Sequence, residues 1–325
     1  MKRCISRLIL VAAILMSIGA AQNTSGLFAG FNRYSSSGQA AMGTSLLSSG
    51  SAMIIFLNPA GMQFLHKGQL AFTHLKLDPN LDQKYFAYAI TKGIGDAFSV
   101  GIGGMSYSVQ RIERYDRDAQ YLGDVRLDEN LYLVSLSTGS VRPFHIGASV
   151  RYAVQNIPLP DTLKWEEHAF AADYGFVYSQ YDWLLLSVSS QTAFRTNDGE
   201  RSLPRLRSSL EFDLPFFSKN SGAAWQMAIS TQTEYGHWTT GSVGMHVRYP
   251  FHDKVTVYLN SRTPAFVLIK KDEFDTNLGY FPMEEWGLSC GIIMNSLGAF
   301  KLKFEFSYIT EKYFNQQIST IELMR

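Results

Sequence analysis

From Phe144 to Gln155 every even position carries an apolar or aromatic side chain, and the odd positions are polar or small. The stretch Phe300–Tyr308 repeats the pattern, as does Trp225–Gln232. Val243, Met245, Val247 and Tyr249 likewise alternate with Ser242, Gly244, His246 and Arg248. A period of two sends successive side chains to opposite faces of an extended strand, so each segment has one apolar and one polar face. Strands of a soluble sandwich usually run about five or six residues. Several here run roughly nine to twelve, the length a tilted strand needs to cross a bilayer. Tyr152, Tyr178, Trp183, Trp225, Tyr235, Tyr249, Trp286 and Tyr308 fall near segment ends, where a membrane barrel carries its aromatic girdles. The pattern predicts an all-β protein, a transmembrane antiparallel β-barrel.

Composition agrees with strands rather than helices as the crossing elements. Of the 325 residues 46% are hydrophobic and 14% aromatic, yet the mean hydropathy is only −0.06. Past the N-terminal leader no apolar run reaches the ~18 residues of a spanning helix. A barrel averages its lipid-facing and lumen-facing residues and lands near neutrality. A net charge of +1 without a basic stripe argues against nucleic acid as a partner.

About fourteen strands are expected, at 69–77, 84–91, 97–109, 130–137, 144–155, 168–178, 183–191, 205–214, 224–235, 239–249, 253–261, 285–295, 299–308 and 316–324. An even number is the rule for bacterial outer-membrane barrels and puts both chain ends on one side. Short connections fall near Gly93–Gly95, Ser179–Tyr181, Pro250–His252 and Ser296–Gly298. Long ones are expected at Gln110–Glu129, Asn156–Glu167, Thr192–Pro204 and Arg262–Glu284. In the third segment the apolar phase moves from Phe98, Val100 and Ile102 to Met105 and Tyr107 across Gly103-Gly104, which predicts a bulge in the wall. The last segment alternates least clearly and ends Leu323-Met324-Arg325, without the closing aromatic residue usual in such barrels.

Ahead of the strands, residues 1–21 read as a cleavable signal peptide. Lys2, Arg3 and Arg7 precede an apolar core from Leu8 to about Ile18, and Gly19-Ala20-Ala21 offers small residues for cleavage. Cys4 leaves with it, so Cys290 stands alone and no internal disulfide is available. Residues 22–66 are expected to form a plug or hatch, and 67–325 the barrel. Small residues (Ser48 to Ala52) lead into the apolar run Met53–Leu57. Asn58 before Pro59 then reads as an N-cap followed by proline at the first helical position, predicting a short helix from Pro59 to about Leu65.

Ala41-Met42-Gly43, followed some fifteen residues on by Asn58-Pro59-Ala60-Gly61, resembles the PorV-type outer-membrane proteins, related to the FadL-type transporters. The resemblance continues through Arg114-Tyr115-Asp116, Gly147–Tyr152, Asp173–Tyr178, Leu203-Pro204-Arg205 and Glu234-Tyr235. Where the family usually carries acidic residues before Asn-Pro, this chain has Ser51-Ala52-Met53. The resemblance implies an outer-membrane location and Ala41, Gly43, Asn58, Pro59, Ala60 and Gly61 as the hatch motif. It also implies a scaffold or shuttle role in type IX-like secretion, with cargo and secretion components met through the loops at 110–129 and 262–284. The alternative is a FadL-type channel for a hydrophobic ligand, with Gly103 and Gly104 as the candidate gap in the wall. Outer-membrane lipid and the barrel-insertion machinery are expected partners in either case.

Catalysis is not expected. His66, His74, His145, His168, His237, His246 and His252 show no metal-ligand spacing. No G-x-S-x-G, Walker or G-x-G-x-x-G loop stands at a strand-to-helix junction, so no metal and no cofactor is expected. Arg151, Arg205, Arg207, Glu211, Asp213, Gln226, Arg248, Lys301, Lys303 and Glu305 occupy polar faces and are expected to brace the lumen.

Overall fold

The computed structural model describes residues 50–65, 68–76, 83–95, 97–115, 118–141, 143–158, 164–181, 183–196, 199–200, 204–215, 222–234, 238–271, 275–279, 286–297, 299–310 and 315–325. The signal peptide, Ala41, Gly43 and the motif residues Asp116, Leu203 and Tyr235 lie outside them.

In chain order the strands are β1 Gly68–Lys76, β2 Gln83–Ile94, β3 Phe98–Tyr115, β4 Tyr121–Val141, β5 Phe144–Pro158, β6 Lys164–Tyr181, β7 Leu184–Gln191, β8 Arg195–Thr196 and β9 Gly199–Glu200. They continue with β10 Arg205–Asp213, β11 Ala224–Glu234, β12 Trp238–His252, β13 Val255–Lys271, β14 Asp275–Gly279, β15 Trp286–Leu297, β16 Phe300–Thr310 and β17 Asn315–Met324. Fourteen of them form a closed antiparallel barrel, with β8, β9 and β14 as short additions at one end. Closure comes from β17, which pairs with β16 on one side and with β1 on the other, Phe72 opposite Ile321 and Thr73 opposite Thr320. The last strand alternates cleanly: Gln316, Ile318, Thr320, Glu322 and Met324 are buried, while Ser319, Ile321 and Leu323 face outward.

Polarity is inverted relative to a soluble core. Phe144, Ile146, Val150, Phe304 and Phe306 are 39 to 61% exposed on the outer face. Ser135, Ser149, Ser187, Ser209, Ser289 and Ser307 are buried inside. Cross-strand hydroxyl pairs join the inner face, Ser135 to Ser149 at 2.7 Å, Ser187 to Ser209 at 2.8 Å and Thr73 to Thr320 at 3.0 Å. Outside, Ile90, Ile102, Val134 and Val150 lie side by side across β2 to β5. Among the described residues no helix is long and apolar enough to cross a membrane.

Two expectations are corrected here. The stretch 110–129 is not a loop: β3 and β4 continue as a paired hairpin to Tyr115 and Tyr121, with register shifts at Val109/Ile112 and Arg114/Tyr115. Much of 262–284 is likewise strand, since β13 runs to Lys271 and pairs with β14. Polar residues break the outer alternation there, which hides the strands from a pattern tuned to the apolar belt. The turns 95–97, 142–143, 182–183, 253–254 and 298–299 all fall at the end that holds Gly68 and Met324, and the long hairpins at the other.

The exposed belt predicts a specific response to charge. Val150→Arg places a guanidinium in lipid and should cost about 2–4 kcal/mol of folding free energy, falling towards zero nearer the rims. Urea unfolding in phospholipid vesicles measures it, and a loss below ~0.5 kcal/mol would place Val150 in water.

Candidate functional site

Residues 51–62 are buried inside the barrel. The expected helix is present as a 3₁₀ helix, Pro59–Phe64, and a second 3₁₀ helix that was not expected, Ala52–Phe56, precedes it; each is opened by a side-chain cap. Ser51 Oγ accepts from the Met53 amide at 3.1 Å, and Asn58 Oδ1 accepts from the Ala60 amide at 3.0 Å. Proline after Asn58 removes an amide that would have no partner. Short 3₁₀ turns suit the site because they compact a segment whose every face meets a neighbour.

What holds this hatch is a set of glycines and three amide side chains. Gly147 and Gly175 are paired across β5 and β6. A methyl on Gly147 would collide with the backbone of Pro59 and Ala60, and one on Gly175 with Asn58 Oδ1. On β3, a Cβ at Gly101 would sit 2.8 Å from Met62 Sδ, and one at Gly103 2.8 Å from Ile55 Cδ1. Asn58 Nδ2 donates to the carbonyls of Phe176 at 3.4 Å and Val188 at 3.3 Å, on the seam of β6 and β7. Gln63 Nε2 donates to the Ser137 carbonyl at 3.0 Å, and Gln191 Nε2 to the Phe56 carbonyl at 2.8 Å. The hatch packs on β1 to β6 and leaves the far half of the wall to a different chemistry.

That far half is ionic. Lys303 lies 3.2 Å from Glu305 and 3.0 Å from Glu322, and its ammonium stands 5.3 Å from the centre of the Tyr258 ring. Asn260 donates to Glu305 at 3.0 Å, as does Ser289 at 2.9 Å. A second ionic group forms on the hatch side, on β5 and β6, where Arg151 meets Asp173 at 2.7 Å, donates to the Thr192 carbonyl at 2.9 Å and stacks 4.6 Å from the Phe194 ring. Arg205, Arg207 and Glu211 are buried on the same inner face, and Gln226 donates to Asp213 at 2.8 Å. Arg248 and Lys301 are exposed. His145 packs edge-on against Phe64 at 4.8 Å, and His246 bonds Asn260. Among the described residues no group of His, Cys, Asp and Glu could hold a metal ion.

Gly103 and Gly104 do not form a bulge. Both β3 ladders run through them without a shift, Gly103 opposite Ala89 and Leu133, Gly104 opposite Tyr88 and Tyr132. Inward and outward positions keep their phase along β3; Met105, Tyr107 and Val109 are buried because the interior itself turns apolar beyond the hatch. With Leu75, Tyr85, Leu131, Leu133, Ile309 and Ile318 they make an apolar collar, in which the Tyr85 hydroxyl donates to Met105 Sδ at 3.1 Å. Gly104 has a separate task on the outer face, where the Tyr88 ring lies over it within 2.9 Å of a built Cβ. Past the end of β7 at Gln191, β6 stays bonded, to Thr192 and then to the small β8–β9 hairpin. The sequence pattern points to the collar only if inward positions are tracked along β3 instead of apolar ones.

No protein-family model and no curated protein matches the sequence. Solved structures do match in fold. The toluene transporter TbuX of Ralstonia pickettii aligns with a TM-score of 0.58 at 10% identity, over 90% of this chain and 98% of that one. A FadL homologue of Pseudomonas aeruginosa aligns at 0.53 and 12% identity, over 93% and 98%. The monoaromatic hydrocarbon channel CymD aligns at 0.54 and 9% identity, over 84% and 91%. The chain therefore has the barrel fold of FadL-type hydrocarbon transporters, and these neighbours are channels.

If the wall glycines seat the hatch, widening one should unseat it. In a Cys290→Ser background, Met62→Cys should react slowly with a maleimide, and adding Gly147→Val should speed the reaction by about tenfold or more, equivalent to ~1.4 kcal/mol of lost seating. Equal rates would show that the contact at Gly147 does not hold the segment.

Proposed function

We propose that this protein is an outer-membrane channel for hydrophobic small molecules, reached by export through the leader at residues 1–21. The observation that carries the reading is the order of features along the interior: a hatch capped by Asn58 and seated on Gly147 and Gly175, followed at once by the apolar collar around Met105 and Leu131. An apolar solute gives up its water on entering the collar, where the buried polar side chains Glu129 and Gln155 bond to each other. In this reading the hatch, buried across the lumen, bars ions. The likeness to hydrocarbon channels supports this substrate class at the level of fold. The secretion-scaffold role implied by the PorV resemblance leaned on long outer loops, and those stretches are largely paired strand.

Uptake of a labelled monoaromatic hydrocarbon into vesicles containing the protein is the direct test. Transport should exceed empty vesicles, sugars should be excluded, and Leu131→Asp should lower the rate about tenfold or more, since a collar carboxylate retains water the solute must displace. Hydrocarbon flux equal to that of empty vesicles would overturn the proposal, and so would an undiminished rate in the variant.

A further inference from the structure

On the outer wall, residues brought side by side by the strand register form continuous rows. Phe72, Tyr88, Gly104, Tyr132, Tyr152 and Phe170 are successive partners across β1 to β6. The rings touch along the row, Tyr132 to Tyr152 at 6.5 Å and Tyr152 to Phe170 at 4.9 Å, and the Tyr88 ring fills the slot that Gly104 leaves. Aromatic rows of this kind mark the boundary between acyl chains and headgroups. Two residues further from the chain ends the row is mixed, Phe86, Ser106, Asn130 and Val154, and four residues further it is polar, with Lys84, Ser108, Asp128 and Asn156 partners in turn.

At that height the wall has a recess of about 470 Å³, lined among others by His74, Lys84, Phe86, Ser108, Arg126 and Asp128. Its floor is aromatic, with Phe86 stacked on Phe72 at 6.0 Å. Arg126 Nε is fixed on Asp128 at 2.7 and 2.8 Å to its two oxygens, which leaves the guanidinium's outer edge for another acceptor. Ser108 Oγ accepts from Gln110 at 2.5 Å and so keeps its own proton to donate. Lys84, on the exposed face opposite Ser108, adds an ammonium. Among the described residues that line it, the one carboxylate is Asp128, which Arg126 already neutralises.

We propose that this recess binds the phosphate of a lipid headgroup in the leaflet at the end opposite the chain termini. Lys84, Arg126 and Ser108 hold the phosphate oxygens, and the lipid's first methylenes lie on Phe72 and Phe86. Charge-assisted bonds to phosphate favour this donor set, and in a bilayer the polar outer wall beyond the apolar belt faces headgroups. The site rests on the membrane-spanning reading of the belt and is independent of what the lumen carries.

Native mass spectrometry of the full chain in non-ionic detergent, titrated with bisphosphorylated lipid A, tests it. Wild type should retain the lipid, Lys84→Ala/Arg126→Ala should bind at least about tenfold more weakly, and Lys84→Arg should bind like wild type. Dephosphorylated lipid should bind wild type as weakly as the phosphorylated lipid binds the double variant. Equal retention of both lipids, or an unchanged double variant, would overturn the proposal in favour of greasy contact alone. Displacement of the lipid by millimolar inorganic phosphate would overturn it in favour of a free-anion site. Hydrocarbon uptake should be unchanged in the double variant, so loss of the lipid site and loss of channel function are separate results.

Discussion

Everything in this fold follows from the need to pair every backbone amide and carbonyl without water. An unpaired peptide group in hydrocarbon costs several kcal/mol, so a sheet that enters a bilayer must close on itself. Here closure falls to a short C-terminal strand, Asn315–Met324, bonded on both sides. It lacks a terminal aromatic residue, yet its inward Ile318, Thr320 and Glu322 and outward Ile321 and Leu323 keep the alternation of the rest of the wall. Once the ring is closed, side chains are free to sort by face, and they sort opposite to a soluble protein.

Closure creates a second problem, a lumen too wide for wall side chains alone to fill. Two devices fill it. Across β10 to β17 buried charges answer one another, with Lys303 set between two glutamates and supported by Asn260 and Ser289. Across β1 to β6 the wall thins to glycine, and the segment 51–62 moves into the space that missing side chains leave. Asn58 joins these features: one oxygen shapes the hatch turn while its amide nitrogen bonds the wall on the β6–β7 seam.

Much of the barrel was legible because period two is a local signal that strands of this length repeat many times. All fourteen expected segments correspond to wall strands. What escaped was whatever departs from a simple apolar-out, polar-in rule. Beyond the membrane the outer face turns polar, so the ends of β3, β4 and β13 looked like loops. Inside, Met105 and Tyr107 are apolar on the inward face, and that mimicked a change of phase at Gly103-Gly104. The hatch motif was visible as Asn58-Pro59, but its seat was not, since Gly147 and Gly175 lie far off in sequence and reveal their purpose only when paired.

The two glycines of β3 show how one residue type serves opposite faces of one wall. Gly103 points inward and lets Ile55 and Phe56 approach the strand, while Gly104 points outward beneath the Tyr88 ring. A side chain at either would force its neighbour away, the first loosening the hatch and the second opening a gap in the aromatic row. Their adjacency follows from the pleat, because neighbouring residues of a strand must face opposite sides. The same strand therefore takes part both in seating the hatch and in completing the aromatic row outside. Two functions that a loop-based design would separate are thus fixed to each other by a single rigid ladder.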